Sequence, residues 1–307
     1  MKNIRISRKF AGQKLLDKTK ICLSFIYKIG FYILMLKKII VPEKSEFLAE
    51  ECGIHYGDGY MKIRKDKWGT HYEYFFASHT QDDINYREYV KNLMKKLYDL
   101  KPTADRSYGN DASLTFSCKE LINFKLSIGM LLSPKIDLTV PRWIKENKEF
   151  LRNFLRGLFD TDGCLSFKSK NGNPHNYPVI HLKLSDKNLI EEIQESLESF
   201  SLNSCLVKYF QLDKRTNKVY LGYGLDISGH ENLQTFLMEI KFNNRKHITK
   251  YLVYEKLGYC PPNTTLKERE SILKDCLGRD LNSRSRAYET RVLTRLDDPD
   301  KNIIIKK

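Results

Sequence analysis

Residues 155–163 read LRGLFDTDG, and about a hundred residues earlier residues 51–59 read ECGIHYGDG. In both stretches a Gly precedes an Asp-Gly by five residues: Gly53 ahead of Asp58-Gly59, and Gly157 ahead of Asp162-Gly163. Each closes an apolar run with helical spacing. Gly inside a helix is disfavoured relative to Ala by roughly 0.5–1 kcal/mol, so Gly53 and Gly157 need a reason. A close approach of two helices, permitted by the missing Cβ, supplies it. Gly59 and Gly163 stand just past the expected helix ends, where a positive φ is often required.

Aligning Asp58 with Asp162 brings the two halves of the chain into the same order. Val41-Pro42 precedes the first motif and Val140-Pro141 the second. SEFLAEECGI and KEFLRNFLRGLF are the helical runs that end at Asp-Gly. Alternating apolar and polar residues follow at 60–65 (YMKIRK) and 164–170 (CLSFKSK), as expected of half-buried strands, and second strands follow at 71–79 and 177–185. Helical patterns over 84–100 and 187–202 come next, then further strands at SLTFSC in the first half and at CLVKYFQL and VYLGYGLDIS in the second, and a helix closes each half. The pattern predicts an α+β chain of two αββαββα units related by a pseudo-twofold axis. Its expected divisions are an N-terminal basic extension (1–40), a first repeat (41–132), a linker (133–141), a second repeat (142–262) and a charged C-terminal extension (263–307).

The charge narrows the partners. Lys and Arg number 53 against 38 Asp and Glu, a net +15, which suits a polyanion. Seven Cys are scattered with no CxxC spacing, which argues against a zinc ribbon or a disulfide framework. The apolar run ICLSFIYKIGFYILM at 21–35 contains Lys28 and is short for a membrane span, which needs roughly 20 residues. It reads as a helix docked on the body, and with no address elsewhere a cytoplasmic location is expected.

If the two halves oppose each other, Asp58 and Asp162 meet at the base of the helix pair. Two close carboxylates repel, and each lies at a helix C-terminus that already carries partial negative charge. Such a place attracts a hard divalent cation, and Mg²⁺ would accept two carboxylates, carbonyl oxygens and a phosphate oxygen. A single Asp-Gly is only a helix stop; its repetition at matched places favours the site.

LRGLFDTDG resembles the signature of the LAGLIDADG homing endonucleases at Leu155, Gly157, Leu158, Asp160, Asp162 and Gly163, and ECGIHYGDG resembles it at Gly53, Ile54, Asp58 and Gly59. The resemblance extends over roughly residues 40–260. It implies that the motif helices form the interface between repeats and that Asp58 and Asp162 bind the catalytic metal, with the carbonyls of Gly57 and Thr161 as adjacent ligands. Mg²⁺ is the expected ion, and Mn²⁺ or Ca²⁺ would fit the same place. Tyr56 departs from the signature, which has Asp where the second copy has Asp160, and this puts local capping in doubt.

The family's saddle-shaped sheets lie along the DNA major groove. With Met61, Ile63, Leu165 and Phe167 inward, the resemblance implies DNA contacts by Tyr60, Lys62, Arg64, Ser166 and Lys168, and by His181, Lys183 and Ser185. It also implies a basic residue near the end of each unit: Lys135 in the first, Lys241 or Lys246 in the second. His247 and His55 are further candidates for a base, His55 being better placed as a core residue.

The implied function is a monomeric Mg²⁺-dependent endonuclease cutting both strands of a long asymmetric site in double-stranded DNA. The start at Met without a flanking splicing domain resembles a free-standing intron-type enzyme. The rival reading is a non-cleaving binder on the same scaffold, either a maturase acting on intron RNA or a transcription regulator; retention of both acids favours the nuclease.

Overall fold

The computed structural model describes residues 39–170, 172–213 and 217–279. The helix expected over 21–35 and the tail beyond 279 lie outside the described residues.

The first repeat runs α1 (Glu46–Tyr56), β1 (Gly59–Asp66), β2 (Gly69–His79), α2 (Ile84–Tyr98), β3 (Ala104–Tyr108), β4 (Asp111–Ser117) and α3 (Lys119–Ser127). After a short helix α4 (Arg142–Lys145) the second repeats the plan: α5 (Lys148–Thr161), β5 (Gly163–Lys170), β6 (Asn173–Leu184), α6 (Lys187–Glu198), β7 (Cys205–Asp213), β8 (Lys218–Ser228) and α7 (His230–Glu239). Helices α8 (Arg245–Leu257) and α9 (Leu266–Arg279) follow. Each repeat folds into one four-stranded antiparallel sheet, ordered β1-β2-β4-β3 and β5-β6-β8-β7. The α+β architecture with two αββαββα units is therefore present, including the strand β3 that its sequence, ADRSY, does not announce. Four of its five residues are exposed, so it carries no apolar alternation to detect.

Polar side chains start α1, α5 and α6. Ser45 accepts from the Leu48 amide of α1, Asn147 from Glu149 and Phe150 of α5, and Asp186 from Leu189 of α6. From Leu48 to Tyr56 every residue of α1 is buried, its two glutamates included. Those acids are neutralised in place, as buried charges must be. Glu51 pairs with the fully buried Lys125 of α3 at 2.5 and 2.6 Å and accepts from the Tyr98 hydroxyl at 3.1 Å. Glu50 pairs with Arg156 of α5 at 3.7 Å and accepts from Tyr89 Oη at 2.8 Å and, across the repeats, from Asn243 Nδ2 at 2.6 Å.

α1 packs along α5 with the two motif glycines at the crossing. A Cβ on Gly53 would overlap the carbonyl oxygen of Phe154 and lie 2.9 Å from the Leu158 amide; one on Gly157 would overlap the carbonyl oxygen of Glu50 and lie 2.9 Å from the Ile54 amide. The reciprocity is that of a pseudo-twofold axis between the helices. Gly59 and Gly163 correct the turn expectation, because neither is among the positive-φ glycines. Each instead starts a strand pressed on its own helix, where a Cβ would meet His55 Cα at 2.6 Å or Phe159 Cα at 2.8 Å.

The stretch 133–141 holds no helix or strand and is tied to both repeats: Ser133 N to Met61 O (2.9 Å), Leu138 N to Asp186 Oδ2 (2.9 Å) and Val140 N to Glu192 Oε2 (2.7 Å). Tyr56, the departure from the signature, donates its hydroxyl to the Thr139 carbonyl at 2.6 Å. Tyr56→Phe is expected to lower stability by about 1 kcal/mol, a fall of about 3 °C in melting temperature by circular dichroism. The charged run after 262 is not simply solvated. α9 packs on α8 with Leu266 and Arg269 buried, and the Arg269 guanidinium donates to Thr249 Oγ1 at 3.0 Å and to the Lys246 carbonyl at 3.3 Å.

Candidate active site between the motif helices

The C-terminal ends of α1 and α5 emerge side by side, so close that a Cβ on Gly57 would overlap Thr161 Oγ1 and lie 3.4 Å from the Asp162 carboxyl carbon. Asp58 and Asp162, the next residues, are thereby brought together as expected, although the chain separates them by about a hundred residues. Asp162 caps α5, its amide donating to Leu158 O at 3.0 Å. The Asp58 carbonyl accepts from Ala77 N of β2 at 3.0 Å.

Both carboxyls are perturbed. Burial pushes Asp58 up to about 7, with repulsion from Asp162 and Asp83 adding to it and Lys246 and Lys135 opposing. Burial likewise pushes Asp162 up to about 6 against the same two lysines. Perturbed groups in a shared recess mark functional sites.

The candidate lysines occupy different settings. Lys135 Nζ is inserted at the end of α1, donating to the carbonyls of His55 (2.9 Å), Tyr56 (2.7 Å), Gly57 (3.1 Å) and Gly59 (2.9 Å). Burial lowers it to about 8, the two site aspartates opposing. In the second repeat Lys246 acts on both carboxylates and pairs with Asp83 of the first repeat at 3.1 Å. Lys241 is exposed at the end of α7, with a left-handed backbone (φ 70°). His55 and His247 are buried core residues whose burial holds them neutral.

A divalent cation fits this donor set. Two incompletely neutralised carboxylates lie close together at two helix C-termini, and Asp58 and Asp162 would hold the ion. Among the described residues no group of three or more His, Cys, Asp or Glu is arranged for a metal, so further ligands would come from backbone, water and phosphate oxygens, which suits Mg²⁺. The Gly57 carbonyl, one of the expected ligands, is already engaged by Lys135. Thr161 Oγ1 donates back to Gly157 O (3.0 Å) and Leu158 O (2.9 Å).

On the sheets, Met61, Leu165 and Phe167 point inward and are buried, and Leu182 and Leu184 with them. Ile63 corrects its expectation: it is 40 % exposed, because burial along β1 ends at Met61. The opposite face carries Tyr60, stacked on Phe75 at 4.5 Å, with Lys62 and Arg64 exposed. Arg64 is tied to Asp66 at 2.6 Å. In the second sheet Lys168 and Lys183 are exposed, and Ser185 follows the end of β6. Ser166 Oγ lies 3.0 Å from His181 Nε2, whose Nδ1 contacts Asp226 Oδ1 at 2.6 Å. A carboxylate only accepts, so Asp226 keeps the Nδ1 proton in place. Sequence reasoning missed Asp226, Asp83 and also Tyr209, whose ring lies 5.1 Å from Lys183 Nζ on this face. Their signals were pairings between distant strands and loops, which no local pattern carries.

The family model of a LAGLIDADG-like domain matches residues 149–241. The replication factor C small subunit of Methanocaldococcus jannaschii is 26% identical over 228 residues, 73% of this chain and 11% of that protein. The one from Thermococcus kodakarensis is 25% identical over 206 residues, 67% of this chain and 21% of that protein. The chain thus spans about a tenth to a fifth of the length of the curated relatives it matches. Among solved structures, I-DmoI in complex with DNA and Mn is 18% identical with a TM-score of 0.44, over 64% of this chain and 96% of that one. The LAGLIDADG meganuclease I-AabMI bound to uncleaved DNA is 12% identical with a TM-score of 0.42, over 78% of this chain and all of that one (100%). The second repeat thus matches a LAGLIDADG-like domain, and the first folds to the same plan around a motif helix packed glycine to glycine on that of the second.

Proposed function

We propose that the protein is a site-specific DNA homing endonuclease that cleaves both strands of a long, asymmetric duplex site with Mg²⁺, acting as a monomer. One observation carries the reading: the two motif carboxylates meet at the base of the helix pair, between two sheets, with two lysines acting on both of them. A purely binding scaffold has no use for a pair of buried acids whose protonation burial favours. The repeats differ in sequence at most outward positions, so a single chain offers two unlike surfaces and its site would lack a dyad.

Asp58 and Asp162 would hold the cation, which would supply Lewis-acid chemistry to a phosphate oxygen and to a bound water. Lys246 offers an ammonium group toward the negative charge that grows on the phosphate. Lys135 closes the carbonyl end of α1 and so fixes the direction from which Asp58 enters. Tyr60, Lys62 and Arg64 on one sheet and Ser166, Lys168, His181, Lys183 and Ser185 on the other supply groove and phosphate contacts.

A randomised duplex library incubated with Mg²⁺ tests the reading. One family of long related sequences should be recovered cut on both strands, with no cutting in excess chelator. Intact DNA with Mg²⁺ and with Mn²⁺ would overturn it.

A further inference from the structure

We propose that Asp83, from the first repeat, is a positioning residue that holds Lys246 of the second repeat at the carboxylate pair, so that the two site lysines do different work. The assignment rests on the endonuclease reading above.

Asp83 stands at the N-terminus of α2, yet its side chain makes no bond to that helix. It is 6 % exposed and points instead across the boundary between repeats. Oδ1 accepts from Asn244 Nδ2 at 2.8 Å and pairs with Lys246 Nζ at 3.1 Å, while Oδ2 accepts from the His79 amide at 3.0 Å. The carboxylate is thus fixed on one side by its own repeat and turned with the other toward its neighbour.

Lys246 needs such a partner. It is the second residue of α8, where the helix dipole disfavours a cation, and its side chain is long and rotatable. The backbone beneath it is pinned by the second motif: Asp160 accepts from the amides of Asn243 (3.1 and 2.9 Å) and Asn244 (2.9 Å), and the Asp160 carbonyl accepts from Asn244 Nδ2 at 3.0 Å. Asp160 therefore places the start of α8, and Asp83 selects where the ammonium group ends.

Lys135 provides the contrast. An ammonium has three protons, and four carbonyl oxygens between 2.7 and 3.1 Å surround that of Lys135. Its donors are committed to the backbone. Among the described residues Asp83 is the carboxylate that Lys246 Nζ reaches, which leaves it donors for a phosphate.

The test compares Asp83→Asn, Lys246→Met and the double variant. Single-turnover cleavage at saturating DNA should fall about 10–100-fold in Asp83→Asn, with DNA affinity changed less than twofold, and Asp83→Glu should recover part of the rate. The double variant should be no slower than Lys246→Met, since both changes remove one interaction. Multiplying losses, a wild-type rate in Asp83→Asn, or a loss confined to affinity would overturn the proposal. Thermal unfolding of the same variants without DNA or metal reads the pair independently of activity and of any folding defect. Absence of coupling there also overturns it. Coupling together with a wild-type protein that cuts nothing would show the pair to be real and the endonuclease reading, and with it this assignment, to be wrong.

Discussion

Asp58→Asn and Asp162→Asn are each expected to abolish double-strand cleavage while raising the melting temperature of the metal-free protein at pH 8. Both carboxyls titrate in the folded protein well above the ordinary carboxylate range, at about 7 and about 6. Between that range and those values the folded chain binds more protons than the unfolded chain, so stability falls as pH rises. The stabilising contribution of each protonated acid is complete below about pH 4 and is lost as pH passes through its folded value. At pH 8 both charges are carried at a penalty. Asn removes one charge and the repulsion it exerts on the other, worth of the order of 2–4 kcal/mol for Asp58. At pH 4 the variants and the wild type should converge. Divalent cations should stabilise the wild type at pH 8, as a ligand that binds only the folded state must, and should do much less for either variant. Cleavage should fall at least about a thousandfold, the scale for losing a group aimed at developing charge. Undiminished cutting by either variant, or a metal-free melting temperature at pH 8 below that of the wild type, would remove the assignment.

That combination of lost activity and gained stability follows from a site built against the grain of its own fold, and it explains which parts were legible in the chain. The motif glycines, the Asp-Gly stops and the alternation at 60–65 and 164–170 are local signals, and they located both helices, the outer strands and the meeting of Asp58 with Asp162. Lys135 was named through the family resemblance and by no local pattern, and Lys241 and Lys246 stand five residues apart in one polar stretch where only the fold separates their surroundings. Nothing local reveals that Lys125, a helix residue between Phe124 and Leu126, is fully buried against Glu51, or that Asp83 turns away from the helix it precedes. β3 escaped for the opposite reason: an edge strand with polar residues on both faces has no period to read. Tyr56 looked like a loss of capping, yet the Asp160 position of the second repeat fastens α8 while Tyr56 fastens the linker. One motif position thus carries two different structural tasks.

Gly53→Ala is expected to destabilise the protein by at least about 3 kcal/mol, against the gain of about 1 kcal/mol that Ala ordinarily brings to a helix interior. The added Cβ would overlap the Phe154 carbonyl oxygen and crowd the Leu158 amide; both are backbone atoms, which cannot rotate away as a side chain tip can. Relief requires α1 to move off α5. That shift would stretch the bonds that bridge the repeats, Asn243 to Glu50 at 2.6 Å and Tyr56 to Thr139 at 2.6 Å, and would draw Asp58 away from Asp162. Stability and cation binding should therefore fall together, unlike in Asp58→Asn, where stability rises as binding is lost. Gly157→Ala should behave alike, since its Cβ would overlap the Glu50 carbonyl oxygen from the other side of the crossing. Once one substitution has parted the helices the second finds room, so the double variant should lose clearly less than the sum of the two. Denaturant unfolding of the three variants and titration of each with Mn²⁺ measure both quantities; a Gly53→Ala protein as stable as the wild type, with its cation affinity intact, would mean that the two motif helices do not meet at their glycines.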